Sequence, residues 1–341
     1  MEQPKERERP VAMLNSRNVL IGLVLFLLPE IGIAGKWIQG KGQKGGIVND
    51  VVVHPRDHKV IFAATFNGLL RSTDQGENWE RFGNGLEGRH VRCLAIDRTD
   101  PLKMYAGTYS AGIFKSVDGG ENWTIANEDL PGSDVRAILI DPDRSDILYV
   151  GTFDGGVARS SNRAKSWQDI SDGTIQGKVV TLAITKDGRK GLLAGVFGEG
   201  LFKKTFGKLG WIGVGKDSLS PAITCVQVDP VSPEFLYVGT YGEGVYISRD
   251  AGGTWQQSNQ GLVNLYVKSL AIDASAPGVL YISTDGGGVF RSSDHGKSWT
   301  PYNDGLSHKY VYRVTVTPGG QGPIFAGTCW GGIWFSYFYV D

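Results

Sequence analysis

Six tryptophans are separated by a constant interval of 44 residues, and this spacing constrains the fold more than any other feature of the sequence. They are Trp79, Trp123, Trp167, Trp211, Trp255 and Trp299. Glycines recur at the same interval, at Gly68, Gly112, Gly156, Gly200, Gly244, Gly288 and Gly332. A constant period over most of a chain indicates a repeat architecture, in which each unit packs against its neighbours.

Each unit of 44 residues contains four short segments with strand character. An alternating run such as VRCLAID is followed by a polar loop, a segment such as YVGTY, a glycine turn, a segment such as GVFRS and the tryptophan segment. Four strands in about 40–45 residues are typical of a β-propeller blade, and the repeat shows no 3.6-residue apolar period that would indicate helices. The sequence therefore predicts an all-β fold of four-stranded blades.

The number of blades follows from the two ends of the repeat. The last unit contains three strand segments, and its next tryptophan would fall beyond the final residue. Trp37 lies 42 residues before Trp79 and has no three strands in front of it. We therefore expect the N-terminal segment to supply the outer strand of the last blade, which closes the ring and removes an exposed edge. The prediction is one seven-bladed β-propeller over residues 35–341.

An eight-residue motif, Ser-x-Asp-x-Gly-x-x-Trp, connects the third strand to the fourth. An aspartate can accept backbone N–H bonds across such a turn, glycine can take a positive φ, and the tryptophan can pack against the neighbouring blade. We interpret the octet as a folding device rather than a binding site. Intact copies contain Asp74 and Trp79, Asp118 and Trp123, Asp250 and Trp255, and Asp294 and Trp299. In the third unit the aspartate and glycine are replaced by Asn162 and Ala164, and in the fourth by Phe206 and Lys208.

This octet resembles the repeat of the BNR or Asp-box propellers. That superfamily includes sialidases, xyloglucan-active glycoside hydrolases, sortilin-type receptors and photosystem II assembly factors, and the resemblance covers the chain after residue 34. It implies the architecture without selecting a function. Two departures disfavour the enzymes: the sequence lacks the Phe/Tyr-Arg-Ile-Pro motif of the six-bladed sialidases, and it has one propeller where the xyloglucan-active enzymes form a cleft between two.

The N-terminus has the features of a targeting segment. The apolar run VLIGLVLFLL at 19–28 follows Arg17 and precedes Gly32 and Ala34, which have the spacing that signal peptidase prefers. Ten apolar residues are too few to span a bilayer, which needs about 20. We expect residues 1–34 to be a leader with a signal peptide, starting at Met1 or Met13, and the protein to be exported to a periplasmic, extracellular or lumenal compartment. An uncleaved membrane anchor is the alternative.

Charge and cysteine content exclude several classes of function. The chain has 35 basic and 35 acidic residues, so no overall charge favours nucleic-acid binding. Cys93 and Cys225 are three repeats apart, on opposite sides of a ring and too distant for a disulfide, and Cys329 is the third cysteine. We interpret all three as buried thiols. The absence of Cys-x-x-Cys spacing in the sequence predicts no metal site, and we expect no cofactor.

Candidate binding residues are those that differ between blades at the mouth of the central channel. The positions that enter the innermost strands predict a basic and aromatic side, suited to an anionic group or a polar chain. These candidates are His90, Arg92, Arg136, Lys178, Tyr266, Lys268, Tyr310, Tyr312 and Arg313, with Gly46 and Val48 in the same columns of the first blade. The alternative is that the cations pair with acids such as Asp134 and cover the rim.

The turns between the second and third strands face the same mouth. Phe or Tyr recurs there in five blades, at Phe66, Tyr109, Phe153, Phe197 and Tyr241, which we interpret as core packing. Trp330 stands where other blades have Asn, Ser, Asp or Gly, so it could stack on a sugar or anchor a protein partner, or it could fill space in the closing blade. Trp334 falls in a column of mostly apolar residues and is predicted to be core.

Four acids in these turns could supply a pair of catalytic carboxylates. They are Asp154, Glu199, Glu243 and Asp285. Glycoside hydrolysis needs two carboxylates about 5 Å or about 6.5–9.5 Å apart, a distance that the sequence does not give. Acids in tight turns more often cap backbone groups or face solvent, and the short loops of a constant frame disfavour a deep cleft.

The sequence therefore predicts an exported, non-catalytic binding or assembly-scaffold propeller that recognises a protein segment or a glycan at its channel mouth. A rigid ring with short loops loses little ordering entropy on binding, and we expect a monomer. Two alternatives remain. One is an Asp-box glycoside hydrolase acting on a polysaccharide, and the other is a protein like the photosystem II assembly factors, with a membrane-complex partner.

Overall fold

A computed structural model describes residues 35–43, 46–185, 190–320 and 322–337. The described residues form seven antiparallel sheets of four strands each. The innermost strands are β2 (Val48–Val53), β6 (Val91–Ile96), β10 (Val135–Ile140), β14 (Val179–Thr185), β18 (Ile223–Val228), β22 (Val267–Ile272) and β26 (Val311–Val316). The second strands are β3 (Ile61–Thr65), β7 (Met104–Thr108), β11 (Leu148–Thr152), β15 (Gly191–Val196), β19 (Leu236–Thr240), β23 (Leu280–Thr284) and β27 (Ile324–Thr328).

The outer half of each sheet is built in the same way. The third strands are β4 (Gly68–Ser72), β8 (Ile113–Ser116), β12 (Gly156–Ser160), β16 (Gly200–Thr205), β20 (Val245–Ser248), β24 (Gly288–Ser292) and β28 (Ile333–Ser336). The fourth strands are β5 (Glu80–Phe82), β9 (Thr124–Ile125), β13 (Gln168–Asp169), β17 (Ile212–Val214), β21 (Gln256–Gln257), β25 (Thr300–Pro301) and β1 (Ile38–Gln39). A short 3₁₀ turn at Pro318–Gly320 precedes β27.

The ring is closed by the N-terminal strand. β1 pairs antiparallel with β28, with Ile38 opposite Phe335 and Gln39 opposite Trp334, and so completes the seventh sheet. Each innermost strand contacts the innermost strands of both neighbours, including β26 with β2. The fold is therefore a seven-bladed β-propeller, as the repeat predicts.

The hydrophobic core is divided into seven clusters, one between each pair of adjacent blades. Each cluster contains the fourth-strand tryptophan of one blade packed against the preceding blade; Trp123, for example, packs with Phe62 and Leu69. Trp37 does this for the last blade, and its indole donates to the carbonyl of Tyr302 at 2.8 Å. Trp334 is also core, with 6% of its surface exposed.

In the four intact octet turns the serine hydroxyl and the aspartate carboxylate are bonded within the turn. In the second blade the Ser116 hydroxyl donates to Asp118 at 2.7 Å, the Gly120 amide donates to Ser116, and the Asn122 amide donates to Asp118. Gly120 has φ +94°, and a side chain there would collide with Phe82. These bonds stabilise the carboxylate and hold the pKa of Asp118 at about 2, with the Ser116 hydroxyl the largest contribution.

Candidate binding site at the channel mouth

A β-bulge near the start of every innermost strand determines which side chains reach the channel. Val91 pairs with Thr108 and Cys93 with Gly107, so Arg92 between them has no partner on β7. A bulge re-aims the extra side chain, and here it points into the channel. The bulged residues form one ring, the bulge ring: Asn49, Arg92, Arg136, Val180, Thr224, Lys268 and Tyr312. All seven line a cavity of about 600 Å³.

In the first blade the innermost strand lies 43 residues before that of the second blade, and not the 44 that the sequence repeat predicts. Val48 pairs with Thr65 as Val91 pairs with Thr108, so the bulged residue is Asn49 and not Val48. By the same register Ile47, not Gly46, precedes the strand. The cause is the rim turn of the first blade, 66–67, which is one residue shorter than the turn 109–111 of the second.

Two arginines of the bulge ring converge on one buried carboxylate. Arg136 donates from Nε and Nη2 to the two oxygens of Asp134 at 2.8 and 2.7 Å. Arg92 Nε lies 3.6 Å from the same carboxylate and makes no hydrogen bond to a described residue. Burial and the nearby Arg136 lower the pKa of Arg92. One carboxylate thus faces two guanidinium groups, and Arg136 makes the closer contact with it.

The cations of the bulge ring rest on aromatic rings from the rim turns. The guanidinium carbon of Arg92 lies 4.9 Å from the centre of the Tyr109 ring, and that of Arg136 lies 4.6 Å from the Phe153 ring. Lys268 Nζ lies 5.5 Å from the ring of Tyr241 in a rim turn and 4.7 Å from the Tyr312 ring of the bulge ring itself. It also lies 3.8 Å from Asp285. Such contacts fix the cations before any ligand arrives.

Below the bulge ring, mostly small residues leave the channel open. This second ring is Asp50, Cys93, Ala137, Thr181, Cys225, Ser269 and Arg313. Asp50 and Arg313 are the two large members, and Arg313 Nε lies 2.9 Å from Asp50 across the seam between the last and first blades. Burial raises the pKa of Asp50, while Arg313 and the Leu94 amide act in the opposite direction. The sequence identified Arg313 but missed Asp50, because the one-residue shift in the first blade hid their common column.

The Phe/Tyr column of the rim is not core, contrary to the sequence prediction. Phe66, Tyr109, Phe197 and Tyr241 are among the exposed large apolar residues, and Phe153 is half-buried. The turn carries these rings over the edge of the sheet, where Tyr109, Phe153 and Tyr241 lie against the three cations of the bulge ring instead of filling the space between blades. His90 lies between Phe66, tilted against it with centroids 4.7 Å apart, and Tyr109, stacked on it with centroids 5.6 Å apart. Burial, followed by the charge of Arg92, lowers the pKa of His90 to about 4.

The remaining candidates lie around the rim and do not line the cavity. Tyr266 packs edge-on against Tyr241 with centroids 5.0 Å apart, and Tyr310 lies beside the Asp285 turn. Lys178 is exposed. Trp330 is the most exposed aromatic residue described, with 69% of its surface accessible. Cys93 and Cys225 are buried, but Cys329 beside Trp330 is only half-buried, so the prediction of three buried thiols is wrong for Cys329.

The four candidate catalytic acids lie outside the cavity lining. Asp154 accepts bonds from the Ser133 amide and hydroxyl and from the Asp134 amide, and these lower its pKa against the effect of burial. The Tyr246 and Ser220 hydroxyls lower the pKa of Glu243. Asp285 faces Lys268, and Glu199 is exposed. Asp154 and Glu243 therefore act as caps of the rim turns.

Within the described ranges, no cluster of three or more His, Cys, Asp or Glu side chains could hold a metal ion. No helix among the described residues is long and apolar enough to cross a membrane. The predicted signal segment, residues 1–34, lies outside the described residues.

The fold and the mouth define a seven-bladed propeller with a basic and aromatic channel entrance. The family model of the DUF6242 β-propeller domain matches residues 48–265, and the chain belongs to this family. A search of curated proteins finds no match.

Several solved structures have the same fold. YCF48 bound to D1 peptide has 15% identity and a TM-score of 0.68, over 90% of this chain and 96% of that one. The extracellular domain of a putative hybrid two-component system from B. thetaiotaomicron has 18% identity and a TM-score of 0.72, over 90% of this chain and 40% of that one. The GH74 enzyme of Niastella koreensis has 18% identity and a TM-score of 0.68, over 87% of this chain and 52% of that one. At these identities the likeness shows the fold alone.

Proposed function

We propose that the protein is a non-catalytic recognition propeller whose channel mouth holds a polypeptide segment through an acidic group. The observation that carries this proposal is the convergence of Arg92 and Arg136 on the single carboxylate of Asp134. A ligand carboxylate would add a second anionic partner for the two guanidinium groups, whose side chains are 20% and 26% exposed. YCF48, which shares the fold, has been solved with a bound peptide.

A glycoside hydrolase is less well supported. Its candidate acids come from four different blades and lie outside the lining of the cavity. Asp154 and Glu243 already accept hydrogen bonds within the rim. We therefore assign recognition rather than hydrolysis to the mouth.

The test is a selection from a displayed library of random twelve-residue peptides, followed by affinity measurements on the selected peptides. We expect the double variant Arg92→Gln/Arg136→Gln to bind about 10–100-fold more weakly than the wild type. Arg144→Gln is the matched control, because Arg144 belongs to the same blade as Arg136 and pairs with Asp146 at the opposite end of its sheet. Thermal unfolding of each variant shows whether Asp134, left unpaired, has disrupted the fold.

Two results would overturn the proposal. The first is equal binding by the wild type and the double variant. The second is binding of polysaccharides with release of new reducing ends that disappears in Asp154→Asn or Asp285→Asn.

Export is proposed from the apolar run at 19–28. The closing strand is compatible with cleavage after Ala34, because the Gly35 amide donates to the carbonyl of Tyr337 at 3.2 Å and Trp37 is buried. We expect the mature protein to begin at Gly35, which N-terminal sequencing of protein purified from its own cells would show. A start at Met1 or Met13 would instead favour the anchored alternative.

A further inference from the structure

Trp330 has a backbone conformation that its side chain does not favour. Its φ is +68°, and it is the only Trp, Tyr or Phe among the described residues with a positive φ. At the same place in three other blades the chain has glycine, with φ of +82° at Gly198, +112° at Gly242 and +101° at Gly286. Glycine takes this conformation without steric cost, whereas other residues pay about 1–2 kcal/mol.

The strain is not compensated by packing of the indole. Of the nine tryptophans in the chain, eight are between 2% and 6% exposed, and Trp330 is 69% exposed. Its indole N–H makes no hydrogen bond to a described residue, although its backbone amide donates to Gly46 at 3.0 Å. The ring can therefore be removed without loss to the core. A strained residue whose side chain the fold does not use is a candidate for function.

Trp330 is connected to the cavity through its neighbour Cys329. The charges around it differ from those around Arg92 and Arg136. The Cys329 amide donates to the carbonyl of Tyr310, and Tyr310 is 59% exposed. The Cys329 side chain contacts Tyr312, which lines the cavity. On this side Asp285 lies opposite the Lys268 cation. The blade 7 side therefore offers aromatic surface next to a balanced ion pair, which suits an uncharged apolar group.

We infer that Trp330, with Tyr310, is the apolar anchor of the mouth, taking an aromatic or proline side chain of the polypeptide whose acidic group meets Arg92 and Arg136. This inference rests on the proposed function and adds the second chemical requirement of the ligand. Exposed tryptophan and tyrosine supply large rigid contact areas at low entropic cost and are enriched among the residues that dominate binding energy.

The experiment uses peptides selected on the wild-type protein and the variants Trp330→Gly, Trp330→Phe and Leu209→Ala. We expect Trp330→Gly to weaken binding at least about tenfold while raising Tm by about 1–3 °C, because the strain is relieved. Trp330→Phe should retain most of the affinity. Leu209→Ala, which removes a fully exposed apolar residue near the opposite face, should change neither quantity.

Acrylamide quenching gives a second readout, because Trp330 is the one exposed tryptophan. Peptide binding should reduce the quenchable fraction of the wild type and leave Trp330→Phe unchanged.

The outcomes separate this inference from the proposed function. Loss of binding in the arginine variants with no loss in Trp330→Gly would overturn the anchor and leave the arginine site standing. Unchanged binding both in the arginine variants and in Trp330→Gly would contradict the proposed function itself. A Tm that falls in Trp330→Gly would show that the indole serves the fold, and binding of sugars rather than peptides at Trp330 would assign it to a glycan site.

Discussion

The turns at the two ends of the third strands differ in how much their residues vary from blade to blade. At one end the octet turn repeats the same residues and the same bonds, with the serine hydroxyl 2.7–2.8 Å from the aspartate in the four intact copies. At the other end the rim turn differs from blade to blade, from Asp285–Gly286 to Cys329–Trp330. Because both turns adjoin the same third strand, connectivity within the sheet does not explain why one turn varies more than the other. Constancy marks the face that the propeller needs in order to fold, and variation marks the face that is free to bind.

The third blade sharpens this comparison from within the octet face. Asn162 replaces the aspartate yet still accepts from the Ser160 hydroxyl and the Ser166 amide. Ala164 replaces the glycine and keeps a positive φ of +55°. The turn therefore requires its conformation and its acceptor oxygen, and the charge is dispensable.

The largest predicted effect is a difference in unfolding free energy between alanine variants of two tryptophans, Trp299 of an octet and Trp330 of a rim turn. Trp299 is 2% exposed, packs in an inter-blade cluster and donates its indole N–H to Ser258 at 2.9 Å. We expect Trp299→Ala to lower the free energy of unfolding by about 3–5 kcal/mol. Trp330→Ala should change it by less than about 0.5 kcal/mol. Chemical denaturation measures both, and similar losses in the two variants would break the comparison.

An intermediate effect concerns the glycine of the octet. Gly296 has φ +78°, and a Cβ there would lie 2.8 Å from Ile247 Cδ1. We expect Gly296→Ala to cost about 1–3 kcal/mol from the left-handed backbone and the crowding. The reverse change, Ala164→Gly, relieves about 1 kcal/mol of strain but loses a buried methyl group worth about 0.8 kcal/mol. Its stability should therefore stay near that of the wild type, and a large change in Ala164→Gly would contradict this account of the turn.

The smallest effect is a pH dependence of the octet. The folded pKa of Asp118 is about 2, below the unfolded value of about 3.9, so the carboxylate stabilises the fold above pH 4 and this contribution is lost as the pH falls towards 2. Asp118→Asn imitates the turn of the third blade and lacks this titration. The difference in Tm between wild type and variant should shrink between pH 4 and pH 2. A difference that stays constant over this range would contradict the assigned pKa.

Much of the fold could be predicted because the same four-strand pattern occurs in all seven blades. The tryptophan interval fixes the blade, and Trp37 without its own strands predicts the closure by β1. The residues of the channel mouth were harder to predict, because they differ from blade to blade. In addition, the short turn 66–67 shifts the alignment of the first blade with the others by one residue. The rim aromatics were misassigned because an apolar column looks the same whether it lies between blades or over a cation. The ion pair of Asp50 with Arg313 joins residues 263 positions apart, across a seam that the sequence alone does not display.

The most direct test of the two-face account is hydrogen–deuterium exchange of the intact protein with and without a selected peptide. We predict that the peptide slows exchange in the rim turns at 109–111, 153–155 and 329–332, while exchange in the octet turns at 116–120 and 292–296 stays the same. Protection of the octet turns with an unchanged rim would contradict the account.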